Sequence, residues 1–122
     1  MNPWLAVFLG GGAGSVARYG ITRLFLALDV RGAFPWATLT ANLLATGLLA
    51  WLVLRWQADL AGREGLKALL AVGFCGGFST FSTFSYENFL LLREGLHVEA
   101  ALNVGISVVA GVALFYFLAR TA

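Results

Sequence analysis

A chain of 122 residues that is 60% hydrophobic and only 11% charged cannot cover the surface of a soluble domain with polar groups. Its mean hydropathy of +0.84 excludes a disordered chain, and its single cysteine, Cys75, excludes a disulfide scaffold. The net charge of +2 comes from scattered Arg and Lys without a basic stripe, which argues against nucleic-acid binding and leaves an integral membrane protein.

In chain order, the first apolar stretch runs over 3–28 and carries Arg18 and Arg23. No positive charge precedes it and the arginines follow its apolar run, so it does not read as a signal peptide. Three later runs, 32–54, 68–86 and 100–119, are free of charge and close to the roughly 20 residues that a helical crossing needs. The predicted spans are 3–28, 33–56, 66–92 and 98–120. They form one four-helix transmembrane domain over 1–122, with short polar connections at 29–32, 57–65 and 93–98. Four helices place both termini on one side. Arg55, Arg63, Lys67 and Arg120 then oppose Arg18, Arg23, Arg31 and Arg93, a balance that sets almost no orientation. A chain that inserts both ways can pair head to tail.

Small and polar residues fall at membrane depth in every span. The first holds Gly10, Gly11, Gly12, Gly14 and Ser15, and the Gly10–Gly14 spacing permits close helix packing. In the second, Thr38, Asn42 and Thr46 recur every four residues and share a face. Asn42 must turn from lipid, either into an interhelical hydrogen bond or into a pathway. The third span carries the run 73–87, GFCGGFSTFSTFSYE. Adjacent Gly76 and Gly77, followed by hydroxyl residues, make a poor helix centre, so a break near the middle of this helix is expected. Carbonyls freed there are ligands for a hard cation. Phe81 and Phe84, three apart, project near one another. The positive edges of such rings suit a small anion, whereas rings in a core simply pack. Glu87 closes the run, as a snorkelling or ion-paired residue at the span's end or as part of a pathway. In the fourth span, Asn103 and Ser107 share a face with Gly111, either bonding a neighbouring helix or lining a pore with donors. Arg18 either concentrates anions at a vestibule or serves as a structural charge near a helix end.

Other chemistry is absent from the pattern. His97 is a lone loop histidine, and Cys75 has no Cys or His at ligand spacing. The glycine run of the first span follows no strand, so it is not a phosphate cradle. No span holds a pair of carboxylates, and an enzyme is not expected.

These residues resemble a known family. The run 73–87 closely resembles the signature of the Fluc (CrcB) fluoride channels, and GGGAGSVARY at 10–19 and TLTAN at 38–42 match in type and order. The resemblance covers essentially the whole chain. It implies an all-α integral membrane protein with four transmembrane helices, the third broken near its middle, forming an antiparallel dual-topology homodimer. It implies two pores conducting fluoride passively out of the cytoplasm, in a multi-pass protein of the bacterial plasma (inner) membrane that confers fluoride resistance. Asn42, Phe81, Phe84, Thr83, Asn103 and Ser107 would line the pore. Carbonyls of Gly76 and Ser79 from both subunits would hold a structural sodium ion, Na+, and no organic cofactor is implied. Arg18 matches the family arginine, and Glu87 ends the signature.

Two other classes compete. A small multidrug-resistance-type proton-coupled exporter is also four-helix and often dual-topology, but needs a membrane carboxylate that the first span lacks. A small structural membrane subunit accounts for the glycines but not for the hydroxyl-rich third span.

Overall fold

The computed structural model describes residues 1–121, and every regular element among the described residues is a helix. Helix α1, Pro3–Ala27, begins where Asn2 Oδ1 accepts the Trp4 N–H at 2.8 Å, with Pro3 in the first turn, where its missing N–H costs nothing. It ends at Asp29, which takes the left-handed conformation (φ 58°). Val30 N–H returns to Phe25 O and Asp29 N–H to Leu26 O, satisfying carbonyls that the helix end would orphan. Arg31 Nε donates to Asp29 Oδ1 at 2.8 Å and pins the turn.

Helix α2, Trp36–Arg55, is followed by the single turn α3, Gln57–Leu60. Helix α4, Glu64–Lys67, runs on into a π-helical stretch, Ala68–Cys75, and then α5, Gly76–Phe78. Ser79 and Thr80 are extended, with ψ of 159° and 120°. Helix α6, Phe81–Arg93, resumes beyond them, with Thr80 Oγ1 accepting the Thr83 N–H at its start. Gly95, at φ 79°, closes α6 with the same paired return bonds that close α1. Helix α7 is His97–Thr121.

Three of these stretches are long and apolar enough to cross a membrane: Trp36–Arg55, Glu64–Arg93 and His97–Arg120. Helix α1 is as long as α7, about 37 Å at 1.5 Å per residue, yet falls short on composition. Its glycines and Arg18 dilute the hydropathy of an otherwise apolar helix. Length and composition thus qualify three helices to cross a membrane, and the fourth expected crossing, at α1, does not follow from them.

Those same glycines bring α1 onto the third span. It lies along the π-helical stretch and α5. A Cβ on Gly10 would strike Leu69 O, and one on Gly14 would strike Phe74 O and come within 2.7 Å of Phe78 N. Facing them, a Cβ on Gly73 would lie 3.0 Å from Gly10 Cα, and one on Gly77 would strike Gly11 O. The contact is backbone on backbone, made by small residues spaced four apart on both partners. Elsewhere α7 packs on α2 and α6. The buried interior is small: Ala41, Ala45 and Phe78 form one cluster, and Leu52, Leu60 and Cys75 another. Large apolar side chains such as Trp4, Phe8, Val16, Val98 and Val109 lie outside. This outward apolar surface is the reverse of a soluble protein's and suits lipid.

Gly14→Val is expected to lower the melting temperature in detergent, at a cost of about 1–3 kcal/mol or more for an overpacked contact. Gly20→Ala, where an added Cβ meets nothing within 4 Å, should melt at or above wild type. Thermal unfolding of the two variants side by side checks the contact, and equal melting of Gly14→Val and wild type would contradict it.

Candidate functional site

Extended backbone at Ser79–Thr80 leaves peptide groups without helical partners, and hydrocarbon supplies none. Ser79 N–H still reaches Cys75 O at 3.1 Å, and Ser79 Oγ donates to the same oxygen at 2.9 Å. The Thr80 N–H, which an unbroken helix would give to Gly76 O, goes instead to Asn42 Oδ1 at 2.7 Å. Asn42 Nδ2 returns a bond to Thr80 O at 3.2 Å. One carboxamide thus satisfies both sides of the Thr80 residue, as a paired backbone would. Within α2, Thr46 Oγ1 donates to the backbone carbonyl of Asn42 at 2.7 Å.

Arg18 reaches the break from the other side. It follows Gly14 by four residues, so the face that presses glycine on glycine ends in a guanidinium. Arg18 Nε donates to Gly77 O at 3.2 Å. Gly76 is different. It is exposed, a Cβ there would meet nothing within 4 Å, and its carbonyl has lost the Thr80 donor to Asn42.

A groove of about 280 Å³ opens beside the break, lined by Asn42, Thr46, Ser79, Thr80, Phe81, Phe84, Ser107 and Val108. It joins α2, the extended link, α6 and α7. The Phe81 and Phe84 rings are 5.9 Å apart between centroids and tilted by 38°. Phe84 is half-buried, whereas Phe81 is 79% exposed and stands at the open rim. Four of the six residues expected along a pore, Asn42, Phe81, Phe84 and Ser107, therefore meet in one groove.

The other two lie apart from it. Thr83 does not line the groove, and its N–H is held by Thr80 Oγ1 at 3.2 Å. Asn103 lies buried between α6 and α7, where its Nδ2 donates to Asn88 Oδ1 at 3.0 Å. Ser107 Oγ is buried without a hydrogen-bond partner among the described residues. Glu87 is half-buried within reach of the Thr38 hydroxyl, and its Oε1 has no partner among the described residues. It lines a separate cavity of about 340 Å³ with Glu94, Thr22 and Trp36, near the α1–α2 turn.

Thr46, Thr80 and Asn88 were not singled out as site residues from the sequence. Thr80 and Thr46 sit one helical turn or less from residues that were. Asn88 carries the plainest signal missed: it follows Phe84 by four residues and so shares its face.

The family model described as "CrcB-like protein, Camphor Resistance (CrcB)" matches residues 5–118. A protein of Pyrococcus furiosus named a fluoride-specific ion channel FluC is 46% identical over 112 residues, which are 90% of this chain and 87% of that one. A protein of the same name from Methylobacterium sp. (strain 4-46) is 46% identical over 113 residues, 89% of this chain and 86% of its own. Another, from Coxiella burnetii, is 44% identical over 105 residues, 85% of this chain and 84% of its own.

Replacing Asn42 by Leu leaves the Thr80 N–H and C=O unpaired, each at a cost of about 1–3 kcal/mol. Asn42→Leu should therefore lower the melting temperature in detergent more than Thr46→Val, which removes one hydroxyl bond and leaves the carboxamide in place. Thermal unfolding of both variants tests this order.

Proposed function

The chain belongs to the CrcB family, and we propose that it is a fluoride-selective passive channel that lets the anion leave the cytoplasm. The observation that carries this reading is the groove at the helix break, where Asn42, Phe81, Phe84 and Ser107 converge from three helices. It is supported by relatives along nearly the whole chain that are named for fluoride conduction.

Fluoride is small and holds water tightly, so a selective path must replace that water with donors of matching strength. The Ser107 hydroxyl, buried and without a partner among the described residues, is one such donor. The tilted Phe81 and Phe84 rings present edges of positive potential to an anion passing between them. Asn42 contributes chiefly by holding the Thr80 backbone in place, because its carboxamide already makes two bonds there.

An open groove is half a conduit. In this reading α1 is the fourth crossing, and a second copy inserted in the opposite direction covers the exposed rim at Phe81. The balanced basic residues on the two sides of the chain favour such dual insertion. Two grooves in such a dimer make two pores. In this reading the carbonyls of Gly76 and Ser79 would hold a shared sodium ion at its centre. The Gly76 carbonyl has lost its helical donor, its residue is exposed, and carbonyl oxygens suit a hard cation. A sodium ion held by these carbonyls would supply fixed positive charge between the broken ends of the two subunits.

The direction of flow follows from acid–base chemistry. Neutral hydrogen fluoride crosses a bilayer from an acidic exterior and dissociates in a more alkaline interior. The trapped anion then leaves through a passive pore, driven by its gradient and by a negative-inside potential in a plasma membrane. No coupled proton or nucleotide is needed.

Liposomes containing the purified protein should release fluoride when a potassium ionophore is added, with chloride efflux far slower, as read by ion-selective electrodes. Equal rates for the two anions would end the selectivity claim. Phe81→Ile should lower fluoride flux about tenfold, the factor that corresponds to losing roughly 1.4 kcal/mol of ring–ion interaction.

A tag fused to the C-terminus should be reached by an impermeant reagent on both sides of the membrane in about equal amounts if charge sets no orientation. Labelling from one side only would remove the antiparallel pairing.

A further inference from the structure

Helices α6 and α7 pack together, and both contribute residues to the groove. Phe81, Phe84 and Asn88 share one face of α6, and Asn103 and Ser107 share one face of α7. Ser107 borders the groove, and Asn103 lies one turn before it on α7, outside the groove lining. The two carboxamides are buried, Asn88 to 9% and Asn103 to 1% exposure, and joined by the 3.0 Å bond from Asn103 Nδ2 to Asn88 Oδ1. Asn103 Oδ1 has no hydrogen-bond partner among the described residues. A buried acceptor left bare is unfavourable. It also presents the wrong polarity to an anion.

We propose that Asn88 is a positioning residue for ion passage, and that the Asn88–Asn103 pair turns over as a unit to offer fluoride an amide N–H beside Ser107. The inference rests on the channel reading above and deepens it by naming the residue that sets the polarity of Asn103. Each carboxamide carries a donor and an acceptor that are nearly equal in shape. A half-turn of both about their terminal torsions leaves the outline of the pair unchanged. Asn88 Nδ2 then donates to Asn103 Oδ1, and Asn103 Nδ2 takes the place its oxygen held. The bond between the helices is kept in both orientations. Only the polarity of the bare position changes, from acceptor to donor. An anion binds the donor orientation better and therefore selects it.

The partner's chemistry decides whether this is possible. A leucine at either position can neither accept nor donate. A carboxylate at 88 accepts from Asn103 Nδ2 but cannot donate, and so fixes the unproductive orientation. The mechanism thus separates two roles that a simple clamp combines: holding α6 on α7, and letting the amides reverse.

The test compares wild type, Asn88→Leu, Asn103→Leu, the double variant and Asn88→Asp as purified full-length protein in liposomes. Fluoride and chloride efflux are read together, with gel filtration and thermal unfolding in detergent as measures of folding. Each single leucine variant is expected to lower fluoride flux about tenfold or more, the scale of losing a hydrogen bond to a charged group. The double variant should lose no more than the weaker single, because both changes remove one shared element. Asn88→Asp keeps volume and, when ionised, the bond from Asn103 Nδ2, and gel filtration separates a folded variant from a misfolded one. In the folded protein its fluoride flux, and its preference for fluoride over chloride, should fall, and the fall should lessen as the pH is lowered and the carboxylate gains a proton that it can donate. Wild-type flux in a folded Asn88→Leu or Asn88→Asp protein, or additive losses in the double variant, would overturn the proposal. A wild-type protein that passes no more fluoride than empty liposomes would overturn the channel reading and this inference with it. Conducting wild type with unaffected variants would overturn this inference alone.

Discussion

The peptide groups of Thr80 lie outside any helix at a depth where the surroundings offer no hydrogen bonds, and the side chain of Asn42 satisfies both. The rest of the site depends on this pairing. Without it the third span would have to close into a continuous helix, bringing Phe81 and Phe84 round to new positions and returning the Gly76 carbonyl to a helical donor. With it, the chain reverses its hydrogen-bonding pattern over two residues and starts again, capped by Thr80 itself. The side chain that satisfies the break also borders the groove, so support and site cannot be separated by mutation at that residue.

A second constraint comes from α1. Glycines four residues apart on α1 meet glycines four residues apart on the third span, so the two backbones are in direct contact. That contact carries Arg18 to Gly77 O, one residue from the freed carbonyl of Gly76. The same substitutions that permit close approach dilute the hydropathy of α1. Composition therefore leaves α1 outside the three helices apolar enough to cross a membrane.

Much of this architecture was legible in the sequence, for reasons that differ by residue. The ends of α1 and α6 follow from Asp29 and Gly95, where short polar connections interrupt apolar runs. The broken third span follows from two glycines and a hydroxyl run, but the break falls at Ser79–Thr80 and not at the glycines, which remain helical. Gly77 is small because Gly11 O presses on it, not because the chain bends there. Spacing placed Phe81 by Phe84 and Asn103 by Ser107, since these are neighbours on one helix. It could not place Asn103 against Asn88 or Asn42 against Thr80, because those pairs join different helices and depend on packing that no local period encodes. Thr83 shows the limit of spacing from the other side: it repeats the position of Thr80 one turn later without reaching the groove.

Cys75 illustrates how the break organises even an unreactive residue. The residue is 3% exposed, and its carbonyl accepts both the amide and the hydroxyl of Ser79. It is also the sole sulfhydryl in the sequence. A thiol shielded in this way offers little purchase to maleimides or spin labels, because attack requires an accessible thiolate. The native chain is thus a quiet background for site-directed probes, and a reporter cysteine introduced at the groove rim could be followed without first replacing Cys75.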